Sequence, residues 1–255
     1  MFIESTKNET VKRTRSLTAK KCRVETGLHF IEGEKLVREA LLSGAEIIDC
    51  FIEDGFFEPL TQLENSSARI YTVTRRVMEA LTNTNEPQHI CATVKTPVCE
   101  IPAGYPEGLI VITDNVQDPG NMGTIIRTAD AFGAVGVLLD SGCADPFSPK
   151  VVRASMGSVY HIPIWFADIK CALSELKAQD FILVCGHLEG KEKMPDIIGK
   201  RVGVVIGNEG RGVCEEAAQM CIKYRLPMYG RAESLNASVA AGILIYEFAN
   251  RIRSN

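Results

Sequence analysis

Along the first hundred residues the spacing of apolar positions changes from one run to the next. "HFIEGEKLVREALLSGAEIIDCFIED" reads as a short strand, an amphipathic helix over about 33–43 and a strand over about 46–52. The β-branched runs at 69–73 and 89–94 predict two more strands, with a helical pattern at 75–81 between them. These elements make a small α/β domain ending near Thr96. Farther on, near-continuous apolar runs recur at "GLIVITDNV", "VGVLLD", "HIPIWF", "FILVCG", "VGVVIG" and "KYRLPM", separated mainly by helical patterns. Short strands of that kind alternating with helices predict a mostly parallel sheet covered on both faces. "VAAGILIYEFANR", 239–251, is apolar all round its first turns and predicts a buried helix.

Between the two patterns, "TPVCEIPAGYPEG" carries Pro97, Pro102 and Pro106, which oppose both helix and central strand, so 97–107 is expected to be a linker. The chain has 255 residues, 45% of them hydrophobic, enough for two ordinary domains with cores. Its apolar runs fall short of the roughly 18 residues of a membrane span, and the N-terminus lacks a signal-peptide pattern. A cytoplasmic protein without membrane attachment is expected. Nine cysteines occur without a Cys-x-x-Cys pair, and the four histidines are scattered, so reduced core thiols and no metal site are expected.

The net charge of −4 does not advertise nucleic-acid binding, but its distribution does so locally. Seven of the first 23 residues are Lys or Arg, against Glu4 and Glu9. Such a basic arm attracts phosphates or is simply a solvated terminus.

In a parallel sheet, ligands gather at the carboxyl ends of the strands. Three loops there carry unusual residues. "GNEGRG", 207–212, sets three glycines around Asn208, Glu209 and Arg211, giving either a tight turn or a backbone that a ligand approaches closely. It is neither a G-x-G-x-x-G fingerprint nor a phosphate loop, which argues against an ordinary Rossmann oxidoreductase. In "NMGTIIRTADAFG", Asn121 is either an N-cap or a site residue, and Arg127, six residues on, is either a surface arginine or a fork for phosphate. In "RAESLNASVAAG", Ser234 and Asn236 precede the last helix, where one capping side chain would suffice and the second is surplus.

"NMGTIIRTADAFGA", "IGNEGRG" and "ESLNASVAAGILIYE", in this order, closely resemble the three signature motifs of the SpoU (TrmH-like) branch of the SPOUT RNA methyltransferases, over about the last 150 residues. A weaker resemblance, carried by "FIEGEKLVREAL", is to the ribosomal-protein-like RNA-binding domain often found upstream in that family. With the basic N-terminal arm (1–23) and the linker (97–107) read from charge and proline content, the resemblance implies an α/β protein with an RNA substrate-binding α/β domain (24–96) and an α/β-knot methyltransferase domain (108–255) closed by a deep trefoil knot. It implies methyl transfer from S-adenosyl-L-methionine to a ribose 2'-hydroxyl of structured RNA, ribosomal RNA favoured over transfer RNA, by a homodimer packed through the knot domain. Cofactor contacts are expected from Cys185, Gly186, Ile206, Gly207, Asn208, Gly210, Leu226, Met228, Ser234 and Leu235. Asn121, Arg127, Glu209, Ser234 and Asn236 match the catalytic positions.

The family's arginine is often assigned as a general base. With a pKa above about 12, however, removing its proton costs roughly 7 kcal/mol near neutral pH. Arg127 is therefore expected to clamp phosphate and stabilise the nascent alkoxide, with Asn121, Ser234 and Asn236 orienting the ribose and Glu209 fixing the loop or Arg127 itself. The alternative is a non-catalytic dimeric RNA-binding protein, which has no need of Ser234 together with Asn236.

Overall fold

The computed structural model describes every residue except 57–62, 64, 65, 83–85, 194, 196, 198 and 255. The chain divides into two compact units, Met1–Val98 with Asp145–Tyr160, and Cys99–Ala144 with His161–Asn255.

The alternation of the N-terminal half produces a five-stranded mixed sheet of β1 (Phe2–Ile3), β2 (Leu28–Glu32), β3 (Ile47–Glu53), β4 (Arg69–Val73) and β5 (Ile90–Lys95). Its order is β1-β4-β3-β5-β2, with β3 parallel to β4 and antiparallel to β5. Helix Glu34–Leu42 follows β2, and helix Arg75–Leu81 links β4 to β5, capped by the Thr74 side chain. The stretch expected to be a basic arm is folded. Residues 1–23 supply β1, helix Glu9–Ser16 and most of helix Lys20–Thr26, and bury Val11 and Leu17 in the core with Phe30, Phe51 and Met78. Two of the seven basic side chains have acidic partners farther along the chain: Arg13 pairs with buried Asp49 at 2.7 Å and the buried Arg23 with half-buried Asp145 at 2.6 Å. Charge counting reads a run like this as solvated, whereas Val11 and Leu17 turn inward from the first helix and its C-cap, and the second helix buries Arg23.

Asp145–Tyr160, expected from sequence to belong to the second domain, clusters with the first unit. It carries helix Pro149–Ser155 and a 3₁₀ turn at Ser158–Tyr160. The buried Arg23 guanidinium gives Nε (2.9 Å) and Nη2 (2.6 Å) to Asp145 and Nη1 to the carbonyls of Leu17 and Thr18. Arg153 pairs with Glu32 at 2.9 Å. His29 lies between the Thr96 and Tyr160 hydroxyls at 3.2 and 2.6 Å, and burial lowers its pKa to about 3.

The second unit holds six strands: β6 (Gly108–Thr113), β7 (Gly136–Leu139), β8 (Ile164–Phe166), β9 (Ile182–Lys191), β10 (Arg201–Ile206) and β11 (Ile222–Tyr224). They run in the order β11-β9-β10-β6-β7-β8, and every pairing is parallel. Leu109 to Ile112 are all buried, which requires cover on both faces. Helix Ala237–Ser254 packs on helix Pro119–Ala131 and over β6, β9 and β10. Ile169, Leu173, Leu176, Ala217 and Ala218 pack with Ile110, Ile112, Leu183 and Val205. The proline-rich stretch contributes to this core, because Tyr105 is buried with its ring edge-on to Trp165 and Phe181 and its amide on Gln179. Among the described residues no helix is long and apolar enough to cross a membrane.

Candidate active site

The parallel sheet sends an irregular stretch within β9 and the loops after β10 and β11 into the wall of a cavity of about 430 Å³. Each enters the wall for a local reason. β9 and β11 pair at Lys223 with Cys185 and next at Tyr224 with Lys191, so residues 186–190 leave the ladder and carry His187, Leu188 and Glu189 into the wall. After β10, residues 207–213 turn back on themselves through two 2.9 Å backbone bonds between Asn208 and Gly212. A Cβ on Gly207 would stand 2.2 Å from the Gly212 carbonyl carbon and the Val213 nitrogen, so this neck admits only glycine. "KYRLPM", expected to be a strand, is one only through Tyr224; Arg225, Leu226 and Met228 leave the sheet and face the cavity.

Of the residues expected at the cofactor, Gly186, Ile206, Gly207, Asn208, Gly210, Leu226, Met228, Ser234 and Leu235 line the cavity. Cys185 lies one residue behind the wall, fully buried in β9. The Asn208 side chain is already engaged by the loop: its amide donates to the Asn115 carbonyl at 2.8 Å, and its oxygen accepts from the Gly210 and Arg211 amides at 2.9 and 3.1 Å. Glu233 also lines the wall, as do His187, Leu188, Glu189 and Arg225, which sequence reasoning missed. The available signal for His187, Leu188 and Glu189 was the glycine at each end of "GHLEG". Among the described residues no group of three His, Cys, Asp or Glu side chains is placed to hold a metal ion.

Beside the cavity, residues from three distant stretches form a chain of hydrogen bonds. The helix that carries Asn121 is capped by Asp118, whose carboxylate accepts the Asn121 amide at 2.8 Å, with Pro119 in the first turn. Capping is therefore not the work of the Asn121 side chain, which is buried and free to act elsewhere. Its Nδ2 donates to Glu209 Oε1 at 3.0 Å, and its Oδ1 accepts from Asn236 Nδ2 at 3.0 Å. Asn236 uses its own oxygen to cap the last helix, accepting the amides of Ser238 and Val239 at 2.9 and 3.3 Å. The surplus at the last helix start is thus Ser234, which is exposed on the cavity wall. Burial pushes the Glu209 carboxyl upward, but donors from Asn121 and the backbone amides of Glu209, Asp118 and Gln117 outweigh it and hold its pKa below the usual range. Arg127 lies farther along the same helix, exposed and with no ion pair among the described residues.

The cavity offers bare loop backbone, aliphatic walls from Leu226, Leu235 and Leu244, and three carboxylates, at Glu189, Glu209 and Glu233. That combination suits a ligand with a flat apolar part, hydroxyl donors and positive charge. The SpoU rRNA Methylase family model matches residues 108–246, and the MRM3-like substrate binding domain model matches residues 8–92. The chain is 37% identical to 23S rRNA (guanosine(2553)-2'-O)-methyltransferase RlmP of Bacillus subtilis (strain 168) over 246 residues, covering 96% of this chain and 97% of that one. It is similar to an AdoMet-bound rRNA methyltransferase from Sinorhizobium meliloti, with 35% identity and a TM-score of 0.87 over 98% of this chain and 97% of the other. It is also similar to the SpoU methyltransferase AviRb from Streptomyces viridochromogenes in complex with AdoMet, with 25% identity and a TM-score of 0.86 over 98% and 100% of the two chains.

Proposed function

Because this chain belongs to the SpoU rRNA methylase family, we propose that the cavity walled by residues 186–189 of β9 and the loops after β10 and β11 is where it holds S-adenosylmethionine. The chain is an S-adenosylmethionine-dependent RNA ribose 2'-O-methyltransferase. The observation that carries the siting is the meeting of the glycine-necked loop 207–213 with Leu226, Met228, Ser234 and Leu235 around one cavity, beside the Asn121–Glu209–Asn236 chain. The bound cofactor supplies a methyl group on a positive sulfonium, and the cavity carboxylates suit that charge. Arg127, exposed and with no ion pair among the described residues, holds the RNA phosphate and the negative charge growing on the 2'-oxygen. Asn121, Ser234 and Asn236 orient the ribose. Glu209 holds Asn121 in place and orders the loop that carries it.

The acceptor is a 2'-hydroxyl of ribosomal RNA, the reading favoured by the likeness to RlmP and by the substrate-binding domain match, and the protein works in the cytoplasm. The wholly parallel sheet and the family assignment support a deep trefoil knot in the second unit. A homodimer through the same unit is supported by helix Ala237–Ser254, where Val239, Ile243 and Tyr246 form an exposed apolar stripe at helical spacing. Sedimentation showing only monomer at micromolar concentration would refute the dimer. Titration calorimetry of the full chain against Ala240→Trp, which fills the cavity from its wall, tests the siting. The wild type is expected to bind S-adenosylmethionine and the variant to lose it; equal binding by both would move the site elsewhere.

A further inference from the structure

Asp114 follows the last residue of β6, is 5% exposed, and neither lines the cavity nor joins the Asn121–Glu209–Asn236 chain. Its backbone amide donates to the carbonyl of Ile206 at 2.8 Å, and its carboxylate accepts the backbone amide of Cys214 at 2.6 Å. Ile206 is the last residue before loop 207–213, and Cys214 is the first after it. One residue therefore bonds to both ends of the loop, and every residue of that loop lines the cavity. The neck so closed is the one in which a Gly207 Cβ would stand 2.2 Å from backbone atoms. The next residue extends the attachment, since the Asn115 carbonyl accepts from the Asn208 side chain at 2.8 Å, with Asn115 at a φ of 55°. A carboxylate accepting a backbone amide at this length makes a charge-assisted bond, about twice as strong as a neutral one.

We propose that Asp114 is a positioning residue for the cofactor, a clasp whose carboxylate and amide hold loop 207–213 closed against the end of β6. The proposal rests on siting the cofactor in this cavity. It assigns Asp114 no contact with cofactor or RNA, so its loss weakens cofactor binding while leaving the chemistry of the bound complex nearly intact.

The test uses the full chain, calorimetry with S-adenosylmethionine, and steady-state methylation of ribosomal RNA from cells lacking the gene. Asp114→Ala is expected to raise the cofactor Kd and KM by about ten- to a hundred-fold, the scale of one hydrogen bond to a charged group. The RNA KM and the kcat at saturating cofactor stay within a few-fold. Asp114→Asn keeps an oxygen that accepts from Cys214 and recovers most of the affinity. In Asp114→Ala/Cys214→Pro the donor is also removed, at a residue whose φ of −61° fits proline, and no further loss follows. A cofactor Kd in Asp114→Ala within two-fold of wild type overturns the clasp. So does an Asp114→Asn as impaired as Asp114→Ala, or an equal fall in kcat and in both affinities. Should Asp114→Ala not fold, Asp114→Ser, too short to reach the Cys214 amide, carries the same expectation and the same refutation. Failure of the siting is distinguishable, because it appears as undiminished binding in Ala240→Trp.

Discussion

Replacing Asn121 by aspartate keeps the shape of the side chain and changes one group, the amide that donates to Glu209 at 3.0 Å. Glu209 is ionised at neutral pH because its amide donors outweigh its burial, and Asp118 lies on the Asn121 backbone amide. A second carboxylate about 3 Å from Glu209 meets a repulsion of about 5.5 kcal/mol at an effective dielectric of 20 and about 1.4 kcal/mol in bulk water. Glu209 is exposed and Asn121 is buried, so a value near 3 kcal/mol is expected. The variant pair then titrates with one proton held about two pH units above the ordinary carboxylate range. In the unfolded chain the same groups ionise normally. Between the two ranges the folded variant binds more protons than the unfolded one, and its stability falls as pH rises. Denaturant unfolding of wild type and Asn121→Asp from pH 8 to pH 5 is expected to show a gap of about 3 kcal/mol that narrows on acidification, when a shared proton restores the donor to Glu209. A gap that does not change with pH, or one below about 0.5 kcal/mol, would refute the hydrogen-bond chain between Asn121 and Glu209.

Three further outcomes follow from named contacts. Gly207→Ala places a methyl 2.2 Å from the loop's own backbone, so cofactor affinity measured by calorimetry should fall by at least about ten-fold and thermal unfolding should move down by the equivalent of about 1–3 kcal/mol. Asn236→Ala removes the cap on Ser238 and Val239 together with the bond to Asn121; about 1–2 kcal/mol of stability should be lost, and Asn236→Asp should recover the capping share. His29 is held neutral with its pKa lowered from 6.5 to about 3, first by burial. The unfolded chain therefore takes up a proton that the folded one refuses, and stability should fall by up to about 1.4 kcal/mol per pH unit as pH drops below the unfolded value. In His29→Gln that contribution to the slope should vanish.

The strands were legible because their burial is two-sided and their apolar runs are uninterrupted, as in "GLIVI" and "VGVVI". The wall of the cavity was legible only in part. Gly207 and Gly210 stand out by spacing, whereas the departure of residues 186–190 from β9 depends on where Lys191 pairs again with β11, a tertiary register that no local pattern encodes. The first 23 residues misled because seven basic charges conceal that Val11, Leu17 and Arg23 itself are buried. Asp145–Tyr160 looked like a continuation of the second domain because its partners, Arg23, His29 and Glu32, are more than a hundred residues away. Asn121 and Asn236 were each legible as cap or site residue; the alternatives separate only in space, where Asp118 takes the first cap and Asn236 performs both tasks.

The central claim is methyl transfer to a ribose 2'-oxygen at the cluster that Asn121, Glu209 and Asn236 organise, with Arg127, farther along the Asn121 helix, acting on the RNA. The most direct test maps 2'-O-methyl groups in ribosomal RNA from cells lacking the gene, complemented with wild type or with Arg127→Lys, and adds single-turnover rates and cofactor affinity for both proteins. One ribose methylation should return with the wild type. Arg127→Lys, which keeps the charge but loses the planar fork, should slow transfer by about 10² to 10³ and leave cofactor affinity unchanged. No methylation restored by the wild type, or full-rate transfer by Arg127→Lys, would contradict the account.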